Sequence, residues 1–217
     1  MTVAAVILVP EPAAGLRPVE GEPALRRVAQ AAWSGGAIPI VIVTPDPTPE
    51  LRAAVADVDV AFAQPGPDEP RGIAWFVRGA RLAQESVADT TAALLWPVPR
   101  VWVDPETITS LVEAHGATPA AILRPAYKGQ AGFPPVVPAS LFARLAARSG
   151  MHGEEALAAL VEEGVAARPI ELGDPGIVHD ASTSRADLPP YQGPPEPAGG
   201  PAADWTVTLS QAADPQA

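Results

Sequence analysis

Short apolar runs alternate with amphipathic segments along most of this chain, and that alternation constrains the fold more than any other feature. Residues 3–9, 38–44 and 91–96 are apolar at nearly every position. Strands of this kind are buried on both faces, which is typical of parallel sheets covered by helices. The segments between them have helical spacing and supply the crossovers. The sequence therefore predicts an α/β fold with a mostly parallel sheet.

The same patterns place the remaining elements. Further strands are predicted at residues 58–63, 120–123, 133–137, 167–172 and 177–179, and helices at residues 23–33, 51–58, 73–85, 104–115, 141–148 and 154–163. Thr48 and Asp104 each precede a proline, which is typical of a helix N-cap and the first helical position. Prolines and glycines become dense after Leu188. We therefore expect one domain, residues 1–188, and a Pro/Gly-rich tail, residues 189–217.

Composition excludes several classes of protein. The formal net charge is −11 and basic residues do not cluster, which argues against a nucleic-acid or anionic-membrane partner. The chain has no cysteine, so disulfides and thiolate metal sites are excluded. The first apolar run lacks the basic flank of a signal peptide, and no run reaches the ~20 residues of a membrane span. We expect a cytoplasmic protein whose partner is another protein or a second copy of itself.

A motif near the amino terminus points to a family. Leu16, Pro18, Gly21, Pro23 and Leu25 form the pattern L-x-P-x-x-G-x-P-x-L, which leads from the first strand into a helix. This segment resembles the start of the MobA-like NTP transferase family, the molybdenum-cofactor cytidylyl- and guanylyltransferases. The resemblance implies a Rossmann-like, three-layer α/β/α nucleotidyltransferase fold. Ligands in such sheets bind beyond the carboxyl ends of the strands.

Later segments resemble the family's motifs in order and spacing. Residues 97–108 are similar to P-V-D-M-P-L-V-x-P-E-T-I, residues 72–80 to G-x-x-x-S-L-x-x-G, and residues 127–134 to Y-x-G-x-x-G-H-P. Residues 174–176 read D-P-G, and Asp180 begins a segment similar to D-I-D-T-P-E-D. The resemblance spans residues 2–188.

The positions that carry the family's chemistry are changed. Where the family has the loop L-A-A-G-x-S-x-R-M-G-x-x-K, this chain has a short segment containing Pro10, Glu11 and Pro12. Prolines have no N–H to donate to a phosphate, and a glutamate repels one. The family's metal-binding aspartate aligns with Pro99, and the second aspartate of its last motif aligns with Ser182. These changes remove both the phosphate contacts and a metal ligand.

The resemblance thus implies a vestigial nucleotide and metal site formed by Arg17, Pro99, Arg100 and Asp180, with no catalytic residue. His179 beside Asp180 is the remaining pair of candidate metal ligands, and two ligands do not make a site. We expect no cofactor. Mg²⁺ with CTP or GTP is implied only if a divergent transferase activity survives.

Aromatic side chains suggest what replaced the polar cleft. Trp75, Phe76, Trp102 and Phe133 fall in the resembling segments, which in the family surround the carboxyl ends of the strands. Phe76 and Phe133 stand at positions that are polar in the family. We expect the four aromatic residues to fill the cleft or to form an apolar contact surface there.

Three functions remain open at this point. The first is a non-catalytic relative that binds a protein partner or regulates molybdenum-cofactor maturation. The second is a divergent Mg-dependent transferase that moves a nucleotidyl group from an NTP to molybdopterin or another small acceptor. The third is a binder of a small molecule in an aromatic-lined cleft.

The tail carries two isolated large side chains, Tyr191 and Trp205. Residues 205–209 alternate as a short strand would. We expect the tail to dock onto its own domain or onto the sheet edge of a partner.

Overall fold

The apolar runs form strands and the amphipathic segments form helices, close to their predicted positions. The structure, a computed structural model, describes residues 1–193. The strands are β1 (Thr2–Leu8), β2 (Pro18–Val19), β3 (Glu22–Pro23), β4 (Ile40–Val43), β5 (Val60–Ala63), β6 (Thr90–Pro97), β7 (Ile122–Tyr127), β8 (Gln130–Ala131), β9 (Val136–Pro138) and β10 (Ala167–Glu171). The helices are α1 (Pro12–Leu16), α2 (Ala24–Ser34), α3 (Pro49–Ala54), α4 (Ile73–Ser86), α5 (Pro105–Ala117), α6 (Phe142–Ala146) and α7 (Gly153–Glu162).

The main sheet is mostly parallel, which confirms the prediction. Its order in the described part of the chain is β10-β7-β9-β6-β1-β4-β5, with β8 paired to β7. The central strand β1 is parallel to both β4 and β6, and the outer pairs β4–β5 and β7–β10 are also parallel. Strand β9 runs antiparallel between β6 and β7. The carboxyl ends of β1 and β6 therefore lie side by side at one edge of the sheet.

Helices cover both faces of the sheet, as the three-layer expectation requires. Helices α2, α3 and α5 pack on one face, and α4, α6 and α7 pack on the other. A hydrophobic core lies on each face of the sheet, and strand β1 contributes to both. Ala5 and Ile7 pack into the first core and Ala4 and Val6 into the second, which explains why the sequence of β1 is apolar throughout. Alternate residues of a strand point to opposite faces, so a strand inside three layers has no polar side.

Both predicted N-caps are confirmed. The Thr48 hydroxyl accepts a hydrogen bond from the Leu51 N–H at 3.3 Å, and the Asp104 carboxylate accepts one from the Glu106 N–H at 2.9 Å. Each cap is followed by a proline at the first helical position. The local sequence thus sets where α3 and α5 begin.

The prediction of a strand at residues 177–179 is wrong, because Pro175–Ile177 forms a 3₁₀ turn instead. The buried Asp174 carboxylate causes the turn. It accepts hydrogen bonds from the Gly176 N–H at 2.7 Å, the Thr107 hydroxyl at 2.8 Å and the Asp104 N–H at 3.0 Å. These bonds tie the turn to the start of α5 and leave the segment no strand partner.

Some short elements were not predicted from the sequence, namely α1, β8 and the hairpin of β2 and β3. Of the predicted tail, residues 189–193 are described, whereas Trp205 and the alternating segment 205–209 lie outside the described residues. None of the helices in residues 1–193 has the length and apolar character needed to cross a membrane.

Candidate functional site

A cavity of about 370 Å³ lies beyond the carboxyl ends of β1 and β6. Three parts of the chain that are distant in sequence form its wall. The residues that line it are Glu11, Ala13, Ala14, Arg17, Ala24, Pro99 and Ala181. Its walls are mostly small side chains, with one carboxylate and one guanidinium. The volume falls in the lower part of the range of small-molecule sites, ~300–1,000 Å³.

The loop after β1 forms one side of this cavity. Pro12 is the first residue of α1, and the exposed Glu11 occupies the N-cap position without a side-chain cap hydrogen bond. Gly15 is buried where a Cβ would lie 2.7 Å from a methyl carbon of Leu51. The loop is therefore packed down against α3 at Gly15, while its proline-rich start borders the cavity.

The loop after β6 forms the opposite side. The Arg100 N–H donates to Pro97 O and the Val101 N–H donates to Pro99 O, both at 3.0 Å, so the chain turns tightly here. The Ala181 N–H donates to Pro99 O at 2.8 Å. This bond brings the segment after β10 against Pro99 and places Asp180 beside the cavity.

Asp180 is held in its ionised form by its neighbours. Its Oδ1 accepts hydrogen bonds from the Ser182 hydroxyl at 2.6 Å and the Ser182 N–H at 2.8 Å. These bonds lower the pKa of Asp180, and the charges of Arg100 and Arg17 lower it further. Arg17, Pro99, Arg100 and Asp180 thus come together at one edge of the sheet.

The candidate metal pair does not gain further ligands. His179 Nδ1 lies 3.4 Å from the Thr183 hydroxyl, and the Asp180 carboxylate is bonded to Ser182. Within residues 1–193, no three His, Asp or Glu side chains are grouped so that they could hold a metal ion.

Trp102 holds the segment that carries Asp180 in place through hydrogen bonds. Its side chain is only 6% exposed, and its indole N–H donates to Asp180 O at 2.9 Å and to Thr183 O at 3.1 Å. The guanidinium carbons of Arg27 and Arg185 lie 5.0 and 5.8 Å from the centroid of the Trp102 ring. No sequence pattern indicates these two arginines, because residues 27, 102 and 185 are far apart in the chain.

The expectation that aromatic side chains fill this cleft is corrected by the structure. None of the four aromatic residues lines this cavity, although Trp102 lines two neighbouring cavities of about 240 and 480 Å³. Trp75 and Phe76 are buried on the other face of the sheet, where α4 packs on α6 and the Phe76 ring meets Phe142 edge to face at 5.8 Å. Helical periodicity explains the error, since the apolar side of α4 must face the sheet. The cavity is left open.

Phe133 has a separate position. It is partly buried against the same core as α4, and the Arg100 guanidinium carbon lies 5.3 Å from its ring centroid. The other side of Arg100 donates to Val178 O at 3.0 Å. Phe133 therefore packs against Arg100 and does not fill the cavity.

Comparison with known proteins decides the family. The profile of the MobA-like NTP transferase domain matches residues 15–167, which is more than half of the chain. The chain belongs to the MobA-like NTP transferase family. The match includes Arg17, Pro99 and Arg100, and it ends before Asp180. No curated protein sequence matches the chain.

Solved structures of nucleotidyltransferases share the fold. A nucleotidyl transferase from Methanothermobacter thermautotroptrophicus aligns with a TM-score of 0.64 at 18% identity, covering 78% of this chain and 87% of that one. Rv0371c from Mycobacterium tuberculosis H37Rv, in complex with manganese, aligns at 0.60 and 19%, covering 79% and 88%. The 2-C-methyl-D-erythritol 4-phosphate cytidylyltransferase from Thermus thermophilus aligns at 0.59 and 15%, covering 87% and 96%. Together they confirm a Rossmann-like nucleotidyltransferase fold for this chain.

Proposed function

We propose that this MobA-like chain is a non-catalytic member of its family, a partner-binding or regulatory protein of molybdenum-cofactor maturation. The observation that supports this best is the loop after β1. Pro10 and Pro12 offer no N–H, and the exposed Glu11 carboxylate lines the cavity. A triphosphate needs close backbone N–H groups and cations at this place, and it meets a like charge instead.

The side chains around Pro99 and Asp180, near the opposite wall of the cavity, support the same proposal because they offer few oxygen ligands for a metal ion. Mg²⁺ requires near-octahedral oxygen ligands, usually with one or two carboxylates. Pro99 has no side-chain oxygen, and the Asp180 carboxylate is engaged by both groups of Ser182. Two guanidinium groups close to Asp180 also compete with a cation for its charge. The residues of this site therefore do not fit a divalent metal.

A nucleotidyl-transfer assay tests the proposal. The purified chain with CTP or GTP, Mg²⁺ or Mn²⁺, and molybdopterin should show no turnover within about a hundredfold of a typical enzyme rate, ~10 s⁻¹. The same nucleotides should not raise its melting temperature, whereas a ligand at a hundred times its dissociation constant stabilises a protein by about 2.7 kcal/mol.

Two controls sharpen this test. Pro99→Asp alone should not restore transfer, because the loop after β1 still lacks its phosphate donors. An active family member assayed in parallel must show turnover with the same acceptor preparation. Turnover by the unmodified chain near the typical rate would overturn the proposal and establish the divergent transferase instead.

The open cavity favours one second function, the binding of a small molecule. A space of about 370 Å³ lined by alanines, Glu11 and Arg17 suits a compact ligand that carries both an anionic and a cationic group. A thermal-shift screen of small zwitterions against the chain and an Arg17→Ala variant checks this function. Stabilisation that requires Arg17 would support it.

A further inference from the structure

Another cavity lies at the opposite edge of the sheet, beyond the amino ends of β1, β4 and β5, and has a volume of about 420 Å³. We call it the amino-edge cavity. Strand β1 has seven residues and is therefore about 23 Å long, so this cavity is separate from the one beside Pro99. The residues that line it are Thr2, Trp33, Ile38, Pro39, Ile40, Asp59, Val60, Ala61, Ser86 and Val87.

The wall of the amino-edge cavity is mostly apolar and includes an exposed indole ring. Trp33 is 52% exposed and Ile38 is 42% exposed. By contrast, Trp75, Trp96 and Trp102 are each at most 6% exposed, and each donates its indole N–H to a main-chain oxygen. The cavity therefore offers a ligand both aliphatic side chains and an accessible aromatic ring.

The charge at this cavity has a single sign. Among the residues that line it, all within the described part of the chain, Asp59 alone is charged. Asp59 is exposed, and within residues 1–193 no basic nitrogen lies within 4.0 Å of its carboxylate. The cavity at the other edge of the sheet differs, because Arg17 accompanies Glu11 there. The amino-edge cavity therefore attracts cations and repels anions.

Two helices add to the negative potential, because α2 and α4 both end at this cavity. Trp33 lies in the last turn of α2, and Ser86 is the last residue of α4. The carboxyl end of a helix carries a partial negative charge of about half an elementary charge, which acts within about one turn of the helix end. The helix ends and Asp59 thus favour the same kind of ligand, a cation.

We propose that the amino-edge cavity binds a small organic cation, an ammonium group attached to an aromatic or branched aliphatic body. The ammonium group pairs with Asp59 and contacts the Trp33 ring, since the face of an indole attracts cations. The apolar body packs against Ile38, Val60 and Val87. The volume of about 420 Å³ falls in the range of small-molecule sites, ~300–1,000 Å³. This inference goes beyond the proposed function and does not depend on it.

Three probes of similar shape and different charge test the proposal on the full-length chain. At neutral pH, 2-phenylethylamine is a cation, 2-phenylethanol is neutral and phenylacetate is an anion. Calorimetry should give 2-phenylethylamine a roughly three- to tenfold higher affinity than 2-phenylethanol, and phenylacetate the lowest. In the ¹⁵N-labelled protein, 2-phenylethylamine should shift the indole N–H signal of Trp33. No binding, equal affinity for the cation and the neutral probe, or shifts confined to Arg17 and Ala181 would overturn the proposal.

Variants identify the contacts. Asp59→Asn should lower the affinity for 2-phenylethylamine to about that of 2-phenylethanol, and Asp59→Lys should lower it further, while Trp33→Ala should weaken the binding of both probes. Both side chains are exposed, so the variants should keep the melting temperature of the unmodified chain. Glu155→Gln is the matched control, because Glu155 is an exposed carboxylate on α7, and it should leave all affinities unchanged. A preference for the cation that persists in Asp59→Asn would overturn the proposed contact.

Discussion

Single residues decide what the cavity beyond β1 and β6 can bind. Pro10 and Pro12 have no backbone N–H to donate, Pro99 has no side-chain oxygen, and Glu11 brings a negative charge to the cavity wall. Each of these properties could be read from the sequence, because the chemistry belongs to the residue type itself. The hydrogen bonds from Ser182 to Asp180 could not be weighed from sequence, because they depend on how the last segment folds back on Pro99.

A residue-level prediction concerns His115, which is fully buried in α5. Its Nε2 lies 3.1 Å from the Thr91 hydroxyl, and its Nδ1 has no hydrogen-bond partner among the described residues. Burial lowers the pKa of His115. Below the unfolded-state value, about 6.5, the unfolded chain takes up a proton that the folded chain does not, so acidification destabilises the fold.

The free energy of unfolding should therefore fall as the pH is lowered through about 6.5 and below, measured by urea titration at several pH values. His115→Leu should flatten this dependence. His152→Asn is the matched control, because His152 is exposed, and it should leave the dependence unchanged. An unchanged slope in His115→Leu would contradict the prediction.

At the scale of elements, the 3₁₀ turn Pro175–Ile177 packs directly against the backbone of the loop after β6. A Cβ on Gly176 would lie 2.0 Å from Trp102 O. The buried Asp174 joins the same turn to α5, and burial raises its pKa in spite of its three hydrogen bonds. Backbone packing of this kind fixes where Trp102 and then Asp180 sit. The sequence showed the D-P-G motif, but residues 177–179 were predicted to form a strand because Ile177 and Val178 are β-branched.

An element-level prediction follows from that close approach. Gly176→Ala should destabilise the protein by roughly 1–3 kcal/mol, because the methyl group forces the turn away from the loop. Gly150→Ala is the matched control, since a Cβ there meets nothing within 4 Å, and it should stay within about 0.5 kcal/mol. Chemical denaturation measures both changes. Equal stability of the two variants would show that the turn can move freely.

Across the whole molecule, two cores on either side of one sheet hold residues 1–193 together. Leu188 packs against the first core, and the described chain ends a few residues later. We therefore expect residues 1–193 to fold without residues 194–217.

A prediction for the whole molecule concerns deletion of the tail. Deleting residues 189–217 should leave a cooperative thermal transition and abolish self-association or partner binding. The cost of losing the partly buried Tyr191 and the Gln192 hydrogen bond should be about 1–2 kcal/mol, or roughly 2–8 °C in melting temperature. Deleting only residues 194–217 should spare this stability. Calorimetry and light scattering check both variants, and a chain that fails to fold or associates unchanged would count against the prediction.

The sequence by itself determined the α/β class, the mostly parallel sheet, the starts of α3 and α5, and the family. Each of these depends on local patterns, because strand burial, helix capping and motif spacing are set within a few residues of chain. Only the tertiary structure decided that Phe76 belongs to the core under α4, that the cavity stays open, and that Arg27 and Arg185 meet on Trp102. Those outcomes depend on the path of the chain between residues far apart in sequence, and no local pattern contains that path.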